Sequence, residues 1–227
     1  MRQVAPGLFQ LRGLVPNLIN AYVMDGYLVD ARTRLARRRI LRELDGVDLH
    51  AHVLTHVHAD HQGASKAVCE ARGLELWCPE GEVAAMETGE WGLGQQPRNL
   101  DTNLQRRFWK GPPHPVARAL REGDTVGSFT VLEAPGHSPG HIVYWRESDR
   151  ILVAGDVINT INTTTGLPQV KEPPRKYTPD PARNRESIRR LAELRPELIC
   201  VGHGRPIDGE RFTRFVEQKL PPARTTP

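Results

Sequence analysis

Four separated stretches of this chain each join a strand-like apolar run to a loop that carries histidine or aspartate. The densest of these loops, residues 55–63, reads THVHADHQG and follows the apolar pair Val53-Leu54. In the other three stretches, residues 129–141, 151–156 and 198–204, glycine stands beside the polar residue. Glycine lets the backbone approach a neighbouring group closely. The pattern predicts a fold that gathers four strand ends at one place.

The spacing within residues 55–63 suits two metal ions. Successive side chains of an extended backbone point to opposite faces, so His56 and His58 share one face and can bind the same cation. Asp60 and His61 follow where the strand gives way to a helix, and their changed direction suits a second cation. Imidazole and carboxylate groups are common zinc ligands. A set this dense favours a metal site over isolated structural histidines.

Taken together, the four loops resemble the metal motifs of the metallo-beta-lactamase fold hydrolase superfamily, in order and in approximate spacing, and the match runs over most of the chain. The resemblance implies an α/β fold, a four-layer αββα sandwich. It implies one metal held by His56, His58 and His137, a second held by Asp60, His61 and His203, and Asp156 as the bridge between them.

Several further residues are weaker candidates. The resemblance suggests that His141 orients the site, although a buried structural histidine is an equal alternative. Asn159 and Tyr177 are candidates for substrate contacts, and Trp91 is a candidate for the pocket wall. Three histidines match no ligand position and are expected to play no part in the site: His50, His52 and His114.

The chain is expected to form a single domain over residues 1–227, with strands and helices alternating. Asp25-Gly26 lies between two apolar runs and predicts a hairpin. Residues 88–121 show no clean period, which predicts an irregular insertion or flap beside the substrate pocket. A plain surface excursion is the alternative.

Charge raises the question of nucleic acid, since the formal net charge is +4. The densest basic run is residues 32–42, in which Ala36, Ile40 and Leu44 recur at helical spacing. This spacing favours an amphipathic helix with a solvated arginine face over a nucleic-acid surface.

The lack of a long apolar run or signal-type start predicts no membrane contact and a cytoplasmic location. Three widely spaced cysteines predict reduced thiols.

The resemblance implies an enzyme, a metal-dependent hydrolase in which two divalent cations lower the pKa of a bridging water and supply hydroxide. The expected substrate is an ester, thioester or lactone of a small molecule, with Asp60 as a ligand that also orients the nucleophile or passes its proton onward. Zinc is the expected metal, with manganese or iron(II) as alternatives. Two other functions stay open. One is a mononuclear iron enzyme resembling the persulfide dioxygenases, with only the His56, His58 or His137 and Asp156 subset as its ligands, and the other is a phosphodiesterase or nuclease.

Overall fold

The computed structural model describes residues 1–90, 95–163 and 165–220, and its first sheet holds seven strands in chain order. The first four strands form an antiparallel meander, and the fourth to the seventh run parallel. The predicted hairpin at Asp25-Gly26 is confirmed, and both residues have positive φ. The seven strands are β1 Arg2–Ala5, β2 Leu8–Gln10, β3 Tyr22–Met24, β4 Tyr27–Val29, β5 Ala51–Val53, β6 Leu76–Pro79 and β7 Arg118–Leu120.

The second sheet has six strands in the order β15-β14-β11-β10-β9-β8, and a short antiparallel pair, β12 with β13, stands apart from it. Its strands pair antiparallel except β11 with β14, which run parallel and so end at the same edge. These strands are β8 Thr125–Val126, β9 Phe129–Glu133, β10 Ile142–Arg146, β11 Ile151–Gly155, β12 Asn159–Ile161, β13 Pro168–Lys171, β14 Leu198–Val201 and β15 Ile207–Asp208.

Within the described residues, six α-helices lie outside the sheets: α1 Arg37–Glu43, α2 Ser65–Arg72, α3 Val83–Thr88, α4 Leu100–Phe108, α5 Pro181–Glu193 and α6 Gly209–Lys219. Short 3-10 turns precede α1 at Arg34–Ala36, α3 at Glu80–Glu82 and α5 at Arg175–Tyr177. The two longest helices begin at aspartates, Asp180 and Asp208, whose side chains accept a hydrogen bond from the first turn.

Buried apolar side chains arrange these elements in four layers. One cluster lies between the two sheets and includes Tyr22 and Val53 from the first and Val131 from the second. Another joins the second sheet to α5 and α6, and two more join the first sheet to α1, α2 and α3. The order helix, sheet, sheet, helix confirms the predicted αββα sandwich.

The arginine run forms α1 and the turn before it, and its predicted apolar stripe is confirmed, since Ile40 and Leu44 are fully buried. Arg32 departs from the solvated face. Its guanidinium is buried and donates to the carbonyl oxygens of Leu11 and Arg12 at 2.7 and 3.0 Å. This arginine therefore ties the first loop to the sheet.

Residues 88–121, predicted as an irregular insertion or flap, contain two regular elements, α4 and β7. Helix α4 begins at a capping box between Asn99 and Thr102, and the sequence analysis did not identify this helix start. Apolar periodicity is missing because Thr102 is the helix's one buried residue, while Leu100 and Phe108 are exposed. One residue of the helix, Gln105, lines a cavity in front of the predicted ligand residues. Within the described part of the chain, no helix has the length and apolar character needed to span a membrane.

Candidate metal centre

All seven predicted ligand residues lie at strand ends that meet on one edge of the sandwich. The loop after β5 carries four of them, and the turn after β9, the end of β11 and the end of β14 carry one each. Their donor atoms form three overlapping groups, with the atoms of each group within 4.8 Å of one another. The groups are His56, His58 and His137; His56, His61 and Asp156; and Asp60, His61 and His203.

The first group consists of three buried imidazoles. His58 Nδ1 and His137 Nε2 lie 2.9 Å apart, and the His56 ring stands nearly perpendicular to both rings. The outward nitrogen of each ring meets a protein atom: His56 Nδ1 meets Thr55 Oγ1 at 3.0 Å, His58 Nε2 meets the Gln95 carbonyl at 2.8 Å, and His137 Nδ1 meets Thr178 Oγ1 at 3.1 Å. These contacts fix the ring orientations, so one nitrogen of each ring faces a common point.

The second group places a carboxylate beside two imidazoles. His203 Nε2 lies 3.3 Å from Asp60 Oδ2, and His203 Nδ1 contacts the Leu18 carbonyl oxygen. His61 Nδ1 contacts Asp30 Oδ2 at 2.8 Å, so its Nε2 is the atom directed inward. This group therefore repeats the first, with outer contacts setting the direction of inner donors.

Asp156 lies between the two groups. Its Oδ2 is 3.0 Å from His203 Nε2 and 3.5 Å from His137 Nε2, and its Oδ1 is 3.4 Å from His61 Nε2. One carboxylate thus approaches imidazoles of both groups. Its role as a bridge between two metal ions, which the resemblance implies, stays a prediction.

The buried carboxylates of this site are stabilised by positive charge nearby. Burial opposes ionisation of Asp156, but His203 and His61 outweigh it and hold its pKa well below the ordinary value. Burial would likewise lower the pKa of His203, yet Asp156 and Asp60 raise it to about 10. For His56, burial and then the neighbouring imidazoles lower the pKa. Burial also lowers the pKa values of His58 and His137, so the imidazoles of the first group favour the neutral form that binds metal. The two carboxylates of the site favour a bound cation.

Orphaned polar atoms test whether metal ions fit. His56 Nε2, His61 Nε2 and Asp156 Oδ1 are buried and have no hydrogen-bond partner. The 3.4 Å approach of His61 Nε2 to Asp156 Oδ1 lacks hydrogen-bond geometry, so it leaves both atoms unsatisfied. Unpaired buried donors and acceptors are costly in a folded protein. Imidazole and carboxylate atoms converging in this way fit divalent cations.

Close backbone approach explains two of the glycines at the strand ends. A Cβ at Gly202 would lie 2.0 Å from Asp156 Oδ1 and 2.7 Å from His61 Cε1. Gly155 has a φ of +51°, and a Cβ there would lie 2.8 Å from His141 Nε2. Larger residues at either position would displace groups of the site.

Asp30 is a residue of the site that the sequence reasoning missed. Its carboxylate accepts hydrogen bonds from Thr55 N and Thr55 Oγ1, both at 2.9 Å, as well as contacting His61. It follows β4 directly, as the ligand residues follow their own strands, and this position was the available signal. Asp30 sets the orientation of His61 and of the ligand loop.

Asp30→Asn is expected to lower the affinity for metal about 10- to 100-fold, because the charge behind His61 is removed. The shape of the side chain is kept, and asparagine tolerates the φ of 58° that Asp30 adopts. Metal affinity is measured by competition with a chelator, with the exposed Asp45→Asn as control. Equal affinities in the two variants would contradict this role.

Glu82 is a second missed residue, fully buried under the ligand loop. Its carboxylate accepts hydrogen bonds from the backbone N–H of Val57 at 3.1 Å and of Gly140 at 3.0 Å, and from the Gln95 side chain. Burial raises the pKa of Glu82 to about 7 against these bonds. Glu82 therefore ties the loop of the first group to the turn that carries His137.

The weaker candidates lie close to the site in differing roles. His141 Nε2 accepts the backbone N–H of Asp156 at 3.1 Å, and its ring lies 4.8 Å from that of His56. Asn159 and Tyr177 line a cavity of about 230 Å³ in front of the donors, whereas Trp91 falls outside the described residues. His52 is buried against the Leu28 carbonyl and Ser65 Oγ, away from the donor groups, as predicted.

The wall of this site cavity comes partly from the predicted flap. Gln96, Gln105 and Trp109 line it, opposite Leu18 and Ile19 from the loop before β3. Helix α4 therefore shapes the space in which a substrate would sit.

Comparison with known proteins places these features in a family. The family model described as the metallo-beta-lactamase superfamily matches residues 14–203. The probable metallo-hydrolase YflN of Bacillus subtilis is 32% identical over 182 residues, which cover 74% of this chain and 69% of that protein. The hydroxyacylglutathione hydrolase GloC of Haemophilus influenzae is 27% identical over 53% of this chain and 56% of its own length. The chicken (Gallus gallus) acyl-coenzyme A thioesterase MBLAC2 is 31% identical over 47% of this chain and 40% of its own length.

Solved structures share the fold. The metallo-beta-lactamase family protein TTHA1429 of Thermus thermophilus superposes with a TM-score of 0.66 at 25% identity, over 95% of this chain and 79% of that one. TTHA1623, solved in a di-iron-bound form, superposes with a TM-score of 0.61 at 24% identity, over 94% and 96% of the two chains.

Proposed function

This chain belongs to the metallo-beta-lactamase superfamily and is a metal-dependent hydrolase, and we propose that a dinuclear centre in it hydrolyses thioesters of small molecules. One observation carries the proposal: two donor groups converge on Asp156, and buried donor atoms in them lack any hydrogen-bond partner. A single cation on His56, His61 and Asp156 would satisfy these atoms, but it would leave the three-imidazole group and the Asp60–His203 pair without a metal.

The residues divide into two sets of ligands. His56, His58 and His137 would hold one ion; Asp60, His61 and His203 would hold the other, with Asp156 touching both. Bound divalent cations polarise a carbonyl oxygen and lower the pKa of water toward neutrality. Zinc is the proposed metal, and manganese or iron(II) also suit nitrogen and oxygen ligands.

Asp60 is the proposed catalytic residue beyond metal binding. It lines the site cavity, and its Oδ2 lies 3.3 Å from His203 Nε2. Burial opposes its ionisation, but the contact with His203 holds the pKa of Asp60 down at about 2. An ionised carboxylate facing the cavity can orient a water molecule through a hydrogen bond. Because a carboxylate of such low pKa is a weak base, a proton that it accepts would have to pass onward at once.

The cavity wall favours a leaving group that needs no added proton. Two side chains on this wall could donate a proton, those of Lys176 and Tyr177, but both donate a hydrogen bond to Asp101 instead of facing a leaving group. A thiol has an ordinary pKa of about 8.5, so it departs as thiolate near neutral pH, unlike an amine or alcohol. The chemistry of the wall therefore supports a thioester substrate over an amide or a simple ester.

Two relatives act on substrates of this kind. The names of GloC and MBLAC2 give a hydroxyacylglutathione and an acyl-coenzyme A as their substrates, and both substrates carry the acyl group on a thiol. The identities are modest and cover about half of this chain, so these names support the reaction type and leave the thiol open.

A second function rests on the middle donor group. His56, His61 and Asp156 form a set of two imidazoles and one carboxylate, the ligand type of mononuclear iron oxygenases. One iron per chain together with thiol-dependent oxygen uptake would favour this function over hydrolysis.

A substrate panel tests the proposed function. Metal-loaded protein is assayed with the same acyl group as a thioester, an oxygen ester and a lactone, and with a phosphodiester. We expect kcat/KM for the thioester to exceed that for the phosphodiester by at least about a hundredfold. The site is proposed to act on an acyl carbon and release a thiolate, and a phosphodiester offers neither group. A preference for the phosphodiester would contradict the proposal.

A further inference from the structure

The arginine-rich helix α1 lacks the ion pairs that occupy arginines elsewhere. Among the described residues, no carboxylate pairs with any of its arginines or with Arg34 in the turn before it. By contrast, Arg183 pairs with Glu186 on α5, and Arg214 pairs with Glu210 on α6. The arginines of α1 thus keep their donors available to a ligand.

An apolar groove connects this helix to the site cavity. The groove has a volume of about 430 Å³ and shares Leu18, Ile19 and Trp109 with the site cavity. Leu14 and Leu35 line it and are 81% and 72% exposed. Large apolar side chains gathered in one exposed groove are typical of a binding site.

A basic cavity of about 980 Å³ continues from the groove, with Leu35 and Arg38 lining both. Six cationic residues line this basic cavity, and Glu70 is its one acidic lining residue. Glu70 lies 3.8 Å from Lys66, so it offsets one of the six charges. The six are Arg34, Arg37, Arg38, Lys66, Arg106 and Lys110.

The site cavity, the apolar groove and the basic cavity follow one another, so an extended ligand could lie along all three. We propose that the substrate is a thioester whose thiol arm carries several phosphate groups, with the arm in the apolar groove and the phosphates on the arginines of α1. The inference rests on the proposed thioester hydrolysis. Arginine binds phosphate oxygens through paired, charge-assisted hydrogen bonds, and a thiol such as glutathione carries no phosphate to use them. Concave spaces of about 430 and 980 Å³ suit a small molecule better than a nucleic acid strand.

A matched pair of substrates tests the inference. Acetyl-coenzyme A and S-acetylpantetheine carry the same thioester, and only the first carries phosphates. We expect kcat/KM to favour acetyl-coenzyme A by about tenfold or more, mainly through KM, since phosphate contacts contribute to binding and not to the chemical step. Arg37→Gln/Arg38→Gln should bring this ratio close to one, whereas Arg211→Gln/Arg214→Gln, with the same change in charge on the exposed face of α6, should keep it.

Calorimetry with ADP, which has phosphates and no thiol, gives a readout independent of turnover. Binding should weaken with salt and fall about tenfold in Arg37→Gln/Arg38→Gln. Equal kcat/KM values for the two thioesters, or ADP binding unchanged in that variant, would overturn the inference while leaving thioester hydrolysis in place. A single-stranded RNA that binds more tightly than ADP would also overturn it. If neither thioester is hydrolysed, the proposed function fails, and the ADP titration decides on phosphate binding alone.

Discussion

Asp156→Ala is expected to lower kcat/KM for a thioester by roughly three orders of magnitude, about 4 kcal/mol of transition-state stabilisation. The effect is large because the carboxylate of Asp156 approaches His61, His137 and His203 at 3.0 to 3.5 Å. Its removal takes a negative charge from between the two donor groups. Steady-state kinetics and metal content, measured on the same preparation, check the result.

The control for this variant is Asp45→Ala, which removes an exposed carboxylate from the loop after α1. It should leave both activity and metal content unchanged. Circular dichroism shows whether the Asp156→Ala protein is folded. Folded protein that keeps two metal ions and its full activity would show that Asp156 does not bridge the groups.

Asp60→Asn is expected to reduce kcat about 10²- to 10⁴-fold while metal content stays full, because the amide keeps an oxygen ligand and loses the ability to accept a proton. The outer contacts of the neighbouring ligands are untouched, since Asp30 holds His61 and Leu18 holds His203. Single-turnover kinetics on metal-loaded protein isolates the chemical step. Unchanged turnover would remove the proton-transfer role and leave Asp60 as a ligand alone.

The predicted metal donors stand out in the sequence because each one follows an apolar strand within a few residues. The parallel pairing of β11 with β14, and of β4 with β5, brings their carboxyl ends to one edge. Once that topology holds, residues far apart in the chain must converge. Two predictions stay predictions: that the seven residues bind metal, and that residues 1–227 form one domain.

The supporting residues could not be predicted, because their roles depend on contacts across the fold. Glu82 lies in a short turn before α3, and nothing in its neighbourhood marks it as the acceptor for Val57 and Gly140. Helix α4 buries Thr102 alone and contributes Gln105 to the wall of the site cavity, so apolar periodicity could not reveal it. Local patterns show which side chains bury in a core; they do not show which polar groups will meet.

The arginines of α1 illustrate the same limit for substrate recognition. Their helical spacing predicted a solvated face, and most of them are indeed exposed. That the face borders a groove leading to the metal donors is a property of the tertiary fold alone. A solvated face and a ligand-binding face look the same in sequence.

The most direct test of the account is the number and position of bound metal ions. Elemental analysis of purified protein, followed by anomalous diffraction from its crystals, measures both. We predict two divalent cations per chain, about 3.5 to 4 Å apart, one at His56, His58 and His137 and the other at Asp60, His61 and His203. Fully active protein that holds a single ion, or ions bound away from these residues, would contradict the account.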